Sequence, residues 1–253
     1  MGPGWPSLGR VSTAFEHVVL EALDPITQAR WWADALGWSI SYQNDEEVDI
    51  DAPDGSLRLV FVPVAALSPS PGRLHLDLAS RDEAHQREQV SRLLAAGARR
   101  ADVGQRDVPW EVLADPEGTV FCVLEPRPVY AGTGAVAALV LRAQAPEALA
   151  SFWQAATGWE RADHDLVALR SPAGGPFLEM YPSPEPAGQE HRLHLDVRPL
   201  PGCPQADEVA RLRGLGAVPL DVGQGDVPWE VLADPEGNAF CVLSTPVDAG
   251  SPT

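Results

Sequence analysis

Apolar positions along the chain switch repeatedly between a strand period and a helix period. Phe15–Leu23 is mostly apolar and reads as a strand. Asp24 follows where a helix N-cap belongs, with Pro25 at the first helical position, where a missing N–H costs nothing. In the second half of the chain, Leu149, Phe152, Trp153 and Ala156 recur at i, i+3, i+4 and i+7, the stripe of a core-facing helix. Gly37 and Gly158 stand where such helices take a C-terminal cap. Strands are expected next around Ser39–Gln43, Glu47–Asp51 and Leu57–Pro63. The pattern then starts again: a strand around His75, a helix over Asp82–Ala96 ended by Gly97, and three further strands. The predicted unit is strand, helix, three strands.

The unit recurs because the chain repeats itself. Asp102–Gly118 and Asp221–Gly237 differ at one position, Arg106 against Gly225. "GRLHLDL" around His75 matches "HRLHLDV" around His194, and "ARWWADALGW" (Ala29–Trp38) matches "ASFWQAATGW" (Ala150–Trp159). In "ADPEG", Pro after Asp and a permissive Gly predict a turn, so "EVLADPEGTVFCVL" reads as a hairpin. Two domains are expected, at 14–126 and 135–245. The Pro/Gly-rich "EPRPVYAGTG" places a linker at 127–134, and residues 1–13 and 246–253 are expected to be flexible ends.

Composition narrows the function. The 253 residues are 45% hydrophobic and carry a net charge of −18; all 18 basic residues are Arg. An acidic chain without a basic patch is a poor nucleic-acid ligand, and the lack of Lys excludes Schiff-base chemistry through a lysine amine. Cys122, Cys203 and Cys241 are too few and too unevenly placed for a disulfide framework. The start lacks an apolar signal region, and no run is long enough to span a membrane. A cytoplasmic protein without membrane or nucleic-acid partners is expected.

Four such units with "RLHLDL" strands and strand–"DPEG"–strand hairpins resemble the vicinal-oxygen-chelate superfamily, over roughly residues 14–245. This superfamily includes glyoxalase I, extradiol dioxygenases and bleomycin-binding proteins. The resemblance implies an α+β fold of two tandem glyoxalase-like domains, each a pair of βαβββ modules forming a half-open barrel that holds a small molecule. It also implies metal ligands on the first and last strands of each module. The matching positions are His17, Val60, His75 and Cys122 in the first repeat, and Ala138, Glu179, His194 and Cys241 in the second. Exchange of modules between domains, known in the family, would regroup them as His17, His194 and Cys241, and as Glu179, His75 and Cys122. No grouping holds the usual His-plus-carboxylate set, which a hard cation needs. A zinc site is complete only if a cysteine ligates, and a lone Cys among hydrophobes more often packs as a small apolar residue. A cofactor-free protein is therefore expected, with Zn, Ni, Mn or Fe as the alternative.

Strand alternation puts His75 and Asp77, and likewise His194 and Asp196, on one face, where the carboxylate orients an imidazole for proton transfer or closes a buried hydrogen bond. Trp110 and Trp229, read as strand residues facing the same way as Val112 and Val231, are candidates to stack on a flat ligand. Glu111 and Glu230 are expected to face solvent, and the other tryptophans follow core positions, apart from Trp5 near the chain start. His85, His164 and His191 are expected to be solvated. Two functions follow. One is a protein that binds a small hydrophobic or aromatic compound through Trp110, Trp229, Asp77 and Asp196. The other is a lyase or isomerase acting on a carbonyl compound, with His75, His194 and Glu179 as catalytic or metal-binding groups. A monomer is preferred to a homodimer.

Overall fold

The computed structural model describes residues 11–68, 72–105, 107–184 and 192–246; Trp5, His191 and most of both chain ends lie outside them. The first module is β1 (Thr13–Ala22), α1 (Pro25–Leu36), β2 (Ser39–Gln43), β3 (Val48–Asp51) and β4 (Arg58–Pro63). The second is β5 (Leu74–Leu78), α2 (Glu83–Ala95), β6 (Arg99–Arg100), β7 (Glu111–Ala114) and β8 (Val120–Val123). A 3₁₀ turn at Pro128–Tyr130 leads to the third: β9 (Val136–Ala143), α3 (Pro146–Thr157), β10 (Glu160–Arg161), β11 (Val167–Arg170) and β12 (Phe177–Pro182). The fourth is β13 (Leu193–Pro199), α4 (Gln205–Gly214), β14 (Val218–Pro219), β15 (Glu230–Ala233) and β16 (Ala239–Val242). Local chemistry sets the boundaries. The Asp24 carboxylate accepts the N–H of Thr27 at the start of α1, and Gly37, at φ 71°, turns the chain out of it.

The strands form two eight-stranded sheets, ordered β14-β15-β16-β13-β1-β4-β3-β2 and β10-β11-β12-β9-β5-β8-β7-β6. The first module therefore shares a sheet with the fourth, and the second with the third. Sheets are exchanged between the repeats, the regrouped alternative of the sequence reading. At the seams, β1 runs antiparallel to β13 and β9 antiparallel to β5. Neither sheet closes, so each curls into an open cup.

Alternation sorts each strand into a core face and a cup face. Val18, Leu20, Leu59 and Phe61 join the core with Trp32 and Trp153, which are 0% and 1% exposed. Truncating a Trp so deeply packed costs about 3–5 kcal/mol.

The repeated "DPEG" turn does more than reverse the chain. Asp115 Oδ1 accepts the N–H groups of Glu117 and Thr119 (3.0 and 2.9 Å), while Oδ2 accepts Trp32 Nε1–H (3.0 Å) and the Gln28 amide of α1. Glu117 then caps the entry to α1, accepting the N–H groups of Leu23 and Asp24 (2.8 and 3.0 Å). The second repeat copies this: Asp234 accepts Trp153 Nε1–H (3.1 Å), and Glu236 accepts the N–H groups of Gln144 and Ala145 (2.8 and 2.7 Å). Modules consecutive in sequence are thus stapled helix to turn, while their sheets pair across the repeats. Asp115 is fully buried, and burial raises its pKa to about 6 against the pull of these donors. No helix among the described residues is long and apolar enough to cross a membrane.

Candidate functional site

Strand register arranges the cup faces in rows. In the cup of the β1 sheet, the first cup, one row is Asp49–Val60–Val19–His194 across β3, β4, β1 and β13. The next is His17–Asp196–Cys241–Val231 across β1, β13, β16 and β15. In the second cup the same rows read Ala168–Glu179–Val140–His75 and Ala138–Asp77–Cys122–Val112. The cups differ at three places: Asp49 against Ala168, Val60 against Glu179, and His17 against Ala138. One carboxylate has moved sideways by a strand, and one imidazole is missing.

The first cup is a polar cluster. His17 Nε2–H donates to Asp196 Oδ2 at 3.0 Å, and His194 Nε2 lies 3.5 Å from Asp196 Oδ1. Burial holds the His194 pKa below its ordinary value, with Asp196 opposing and His17 reinforcing the shift. Asp49, buried with Arg58 at 3.4 Å, is raised to about 6 by desolvation and by Glu47, against Arg58 and His17. Asp49 Oδ1 and Asp196 Oδ1 are both buried without a hydrogen bond. Burial, then the neighbouring Asp196 carboxylate, pushes the Cys241 thiol far above its ordinary range.

A cavity of about 350 Å³ occupies the second cup. Its lining passes from exposed Tyr181 and half-buried Trp110 and Arg127 to buried Asp77, Cys122 and Glu179. Glu179, 2% exposed, accepts the Tyr130 hydroxyl at Oε1 (2.9 Å), and His164 Nε2 stands 3.2 Å from the same oxygen. His164 Nδ1 accepts the N–H of Leu166, which puts the ring's proton on Nε2, facing Glu179. Burial, then the Glu179 charge, raises the Tyr130 pKa, so the phenol stays protonated. His75 Nε2 lies 3.2 Å from Asp77 Oδ1, out of line for a hydrogen bond. The Arg127 guanidinium, held by Glu125 at 2.7 Å, covers the Trp110 ring with its carbon 5.5 Å from the centroid.

These positions correct parts of the sequence reading. The His164 side chain is 5% exposed and belongs to the cup, because the β10–β11 loop folds it over Glu179. His85 is partly buried, its Nδ1 accepting the Arg81 N–H. Trp110 and Trp229 stand just before β7 and β15 rather than inside them; Trp110 lines the cavity, and Trp229 is 38% exposed. Glu111, its side chain 38% exposed and paired with Arg100, and exposed Glu230 face solvent as expected. Asp49, Tyr130 and Arg127 were not foreseen. An acid flanked by Val48 and Ile50 was a readable sign for Asp49, but a Pro/Gly-rich linker gives no periodicity to place Tyr130 or Arg127.

The sequence model of the family described as "Glyoxalase-like domain" matches twice, at residues 17–124 and 138–243. The chain belongs to the glyoxalase-like domain family. The glyoxalase-like fold also appears in glyoxalase I from Zea mays, with a TM-score of 0.62 at 13% identity and 92% of each chain covered. A Bacillus subtilis subsp. subtilis protein provisionally described as a dioxygenase matches with a TM-score of 0.55 at 14% identity, covering 93% of this chain and 86% of that one. No curated protein matches the sequence significantly. At these identities the likeness concerns the fold.

The glyoxalase-like fold raises the question of a divalent metal, and the cups answer it differently. In the first, donor atoms of His194, Asp196 and Cys241 lie within 4.8 Å of one another, and His17 adjoins Asp196. Two imidazoles, a carboxylate with a bare buried oxygen and a thiol fit an ion of the zinc class, provided the thiol proton is displaced. In the second, His75, Asp77 and Cys122 converge equally closely, but Ala138 supplies no fourth donor and Glu179 Oε1 is already engaged. That set fits a metal poorly.

Proposed function

We propose that the chain binds a small, partly aromatic molecule in its second cup. The observation that carries this reading is the cavity of about 350 Å³, large enough for a bicyclic body, lined by Trp110 and by the Glu179 carboxylate that Tyr130 fixes. Pockets of this kind, mostly apolar with a few fixed polar groups, are what small ligands use. Both eight-stranded sheets are completed within one chain, which supports a monomer. The three cysteines are unpaired, as expected of a reducing, cytoplasmic setting. Ligand-observed NMR with a panel of indoles and naphthols in EDTA tests the reading. Saturable binding of panel members that Trp110→Ala weakens supports it; no binding by any member refutes it.

The first cup supports a second reading, a lyase or isomerase acting on a carbonyl compound, because four donors of suitable chemistry converge there. His17, His194, Asp196 and Cys241 would hold the ion, and a bound divalent metal supplies Lewis acidity toward a carbonyl oxygen. Around that position Asp49 adds negative charge, and Val60 and Val19 give an apolar wall. Elemental analysis of protein from metal-supplemented growth decides: less than about a tenth of an equivalent of zinc, nickel, manganese or iron per chain rejects this reading.

A further inference from the structure

We propose that the molecule held in the second cup is an amine, an aromatic or apolar body whose protonated nitrogen sits between Asp77 and Glu179. This rests on the reading that the second cup binds a small organic molecule, and it names the class. Both carboxylates line the cavity and are 8% and 2% exposed. Asp77 Oδ1 is buried without a hydrogen bond, an expensive state for a charged acceptor.

Glu179 Oε1 accepts the Tyr130 hydroxyl, while His164 Nε2 stands 3.2 Å away without a hydrogen bond, and Oε2 makes none among the described residues. Tyr130 brings a neutral phenol to it, and His164 turns its Nδ1 away, to the Leu166 N–H. The first cup shares the bare oxygen, since Asp196 Oδ1 also lacks a hydrogen bond, but there His17 donates to Asp196 Oδ2 at 3.0 Å and Arg58 stands 3.4 Å from Asp49, whereas Ala138 gives Asp77 no such imidazole. A ligand ammonium restores the absent donor with a positive charge, and charge-assisted hydrogen bonds of this type are the strong ones.

The cavity also has cations, and they differ in placement. Arg127 is held by Glu125 and stacked on Trp110, with its side chain 32% exposed. Arg142 is partly buried and has its own partner. His75 is out of line with Asp77 Oδ1. The carboxylates thus lie deep, with Asp77 Oδ1 bare and Glu179 bonded only through Oε1, while the arginines are engaged and nearer solvent. The floor selects a nitrogen donor, and Trp110 receives the ring.

The test compares tryptamine, tryptophol and indole-3-propionate, which share a ring and differ in tail charge, by calorimetry on the full chain in EDTA. Tryptamine is expected to bind one per chain and about tenfold or more tighter than tryptophol. Asp77→Asn and Glu179→Gln should each erase most of that preference, bringing tryptamine to within about threefold of tryptophol on the same variant. The wild-type preference alone decides the class should either variant fail to fold. If tryptophol or the propionate binds as well as tryptamine, the amine class is wrong and the binding reading survives. If none of the three binds while another indole or naphthol of the panel does, the amine class is wrong; if no panel member binds, the binding reading itself fails. If tryptamine binds only when zinc chloride replaces EDTA, Asp77 serves a metal and the proposal is overturned.

Discussion

The two cups share a template, and each holds two buried carboxylates, yet those carboxylates meet different neighbours. In the first cup Asp49 sits on β3 and finds Arg58 on the adjoining strand, while Asp196 finds His17. In the second, the acid has moved to β12 as Glu179, and its partners come from outside the sheet: Tyr130 from the linker and His164 from a loop. A shift of one strand, about 4.8 Å, changes which parts of the chain an acid can reach. The first cup gathers metal-type donors beside its bare carboxylate oxygens; the second keeps an open cavity.

The largest effect that separates the cups is cation binding. Cobalt(II) should bind one equivalent per chain and give a thiolate charge-transfer band. His17→Ala or Cys241→Ser should weaken binding at least about a hundredfold, more than loss of an outer-shell partner does. Cys122→Ser and Glu179→Gln should leave the titration unchanged. Equal losses from Cys122→Ser and Cys241→Ser would erase the distinction.

Next comes the aromatic end of each cup. Trp110→Ala should weaken binding of indole-type molecules by about 1–2 kcal/mol, roughly tenfold, through lost stacking. Trp229→Ala should not, because that ring precedes β15 of the other sheet and is 38% exposed. A somewhat smaller effect is expected on stability. Tyr130→Phe removes one donor to buried Glu179 and should lower unfolding free energy by about 1 kcal/mol, near the low end for a lost partner because His164 stays close. Urea denaturation measures it, and an unchanged midpoint would show that Tyr130 is incidental to Glu179.

The fold was legible because it rests on local signals used four times. Asp24 and Gly37 bound α1, alternation marked the strands, and near-identity of the "DPEG" hairpins exposed the duplication. Which modules share a sheet was not legible: β1 can pair with any strand of the right pattern, and β5 and β13 have almost the same sequence. The site was legible where it lies on repeated strands, as for His17, His75, Asp77, Cys122, Glu179, His194, Asp196 and Cys241. It was hidden where a loop or linker delivers the group. Tyr130 and His164 act through where the chain returns in space, and no local pattern carries that information. The "DPEG" turns are where the sequence placed them, but as a turn signal they gave no hint of the staple to Trp32 and Trp153.

The smallest expected effect concerns the acid that the second cup replaces with Ala168. Desolvation raises the Asp49 pKa from 3.8 to about 6. Below about pH 4, Asp49 is neutral in both folded and unfolded chains, and its contribution to stability is at its greatest. As pH rises toward 6, the unfolded chain ionises freely while the fold resists, so wild-type stability falls from this group. Asn at this position does not titrate. The stability of Asp49→Asn relative to wild type should therefore increase between about pH 4 and 6 and level off above, by on the order of 1 kcal/mol after allowing for solvent screening. Asp115 and Asp234 titrate in both proteins and cancel in the difference. Ala168→Asn in the second cup should show a difference from wild type that is flat with pH. A flat profile for Asp49→Asn as well would mean that Arg58 and His17 already hold Asp49 ionised, and that the first cup is more strongly charged than its burial implies.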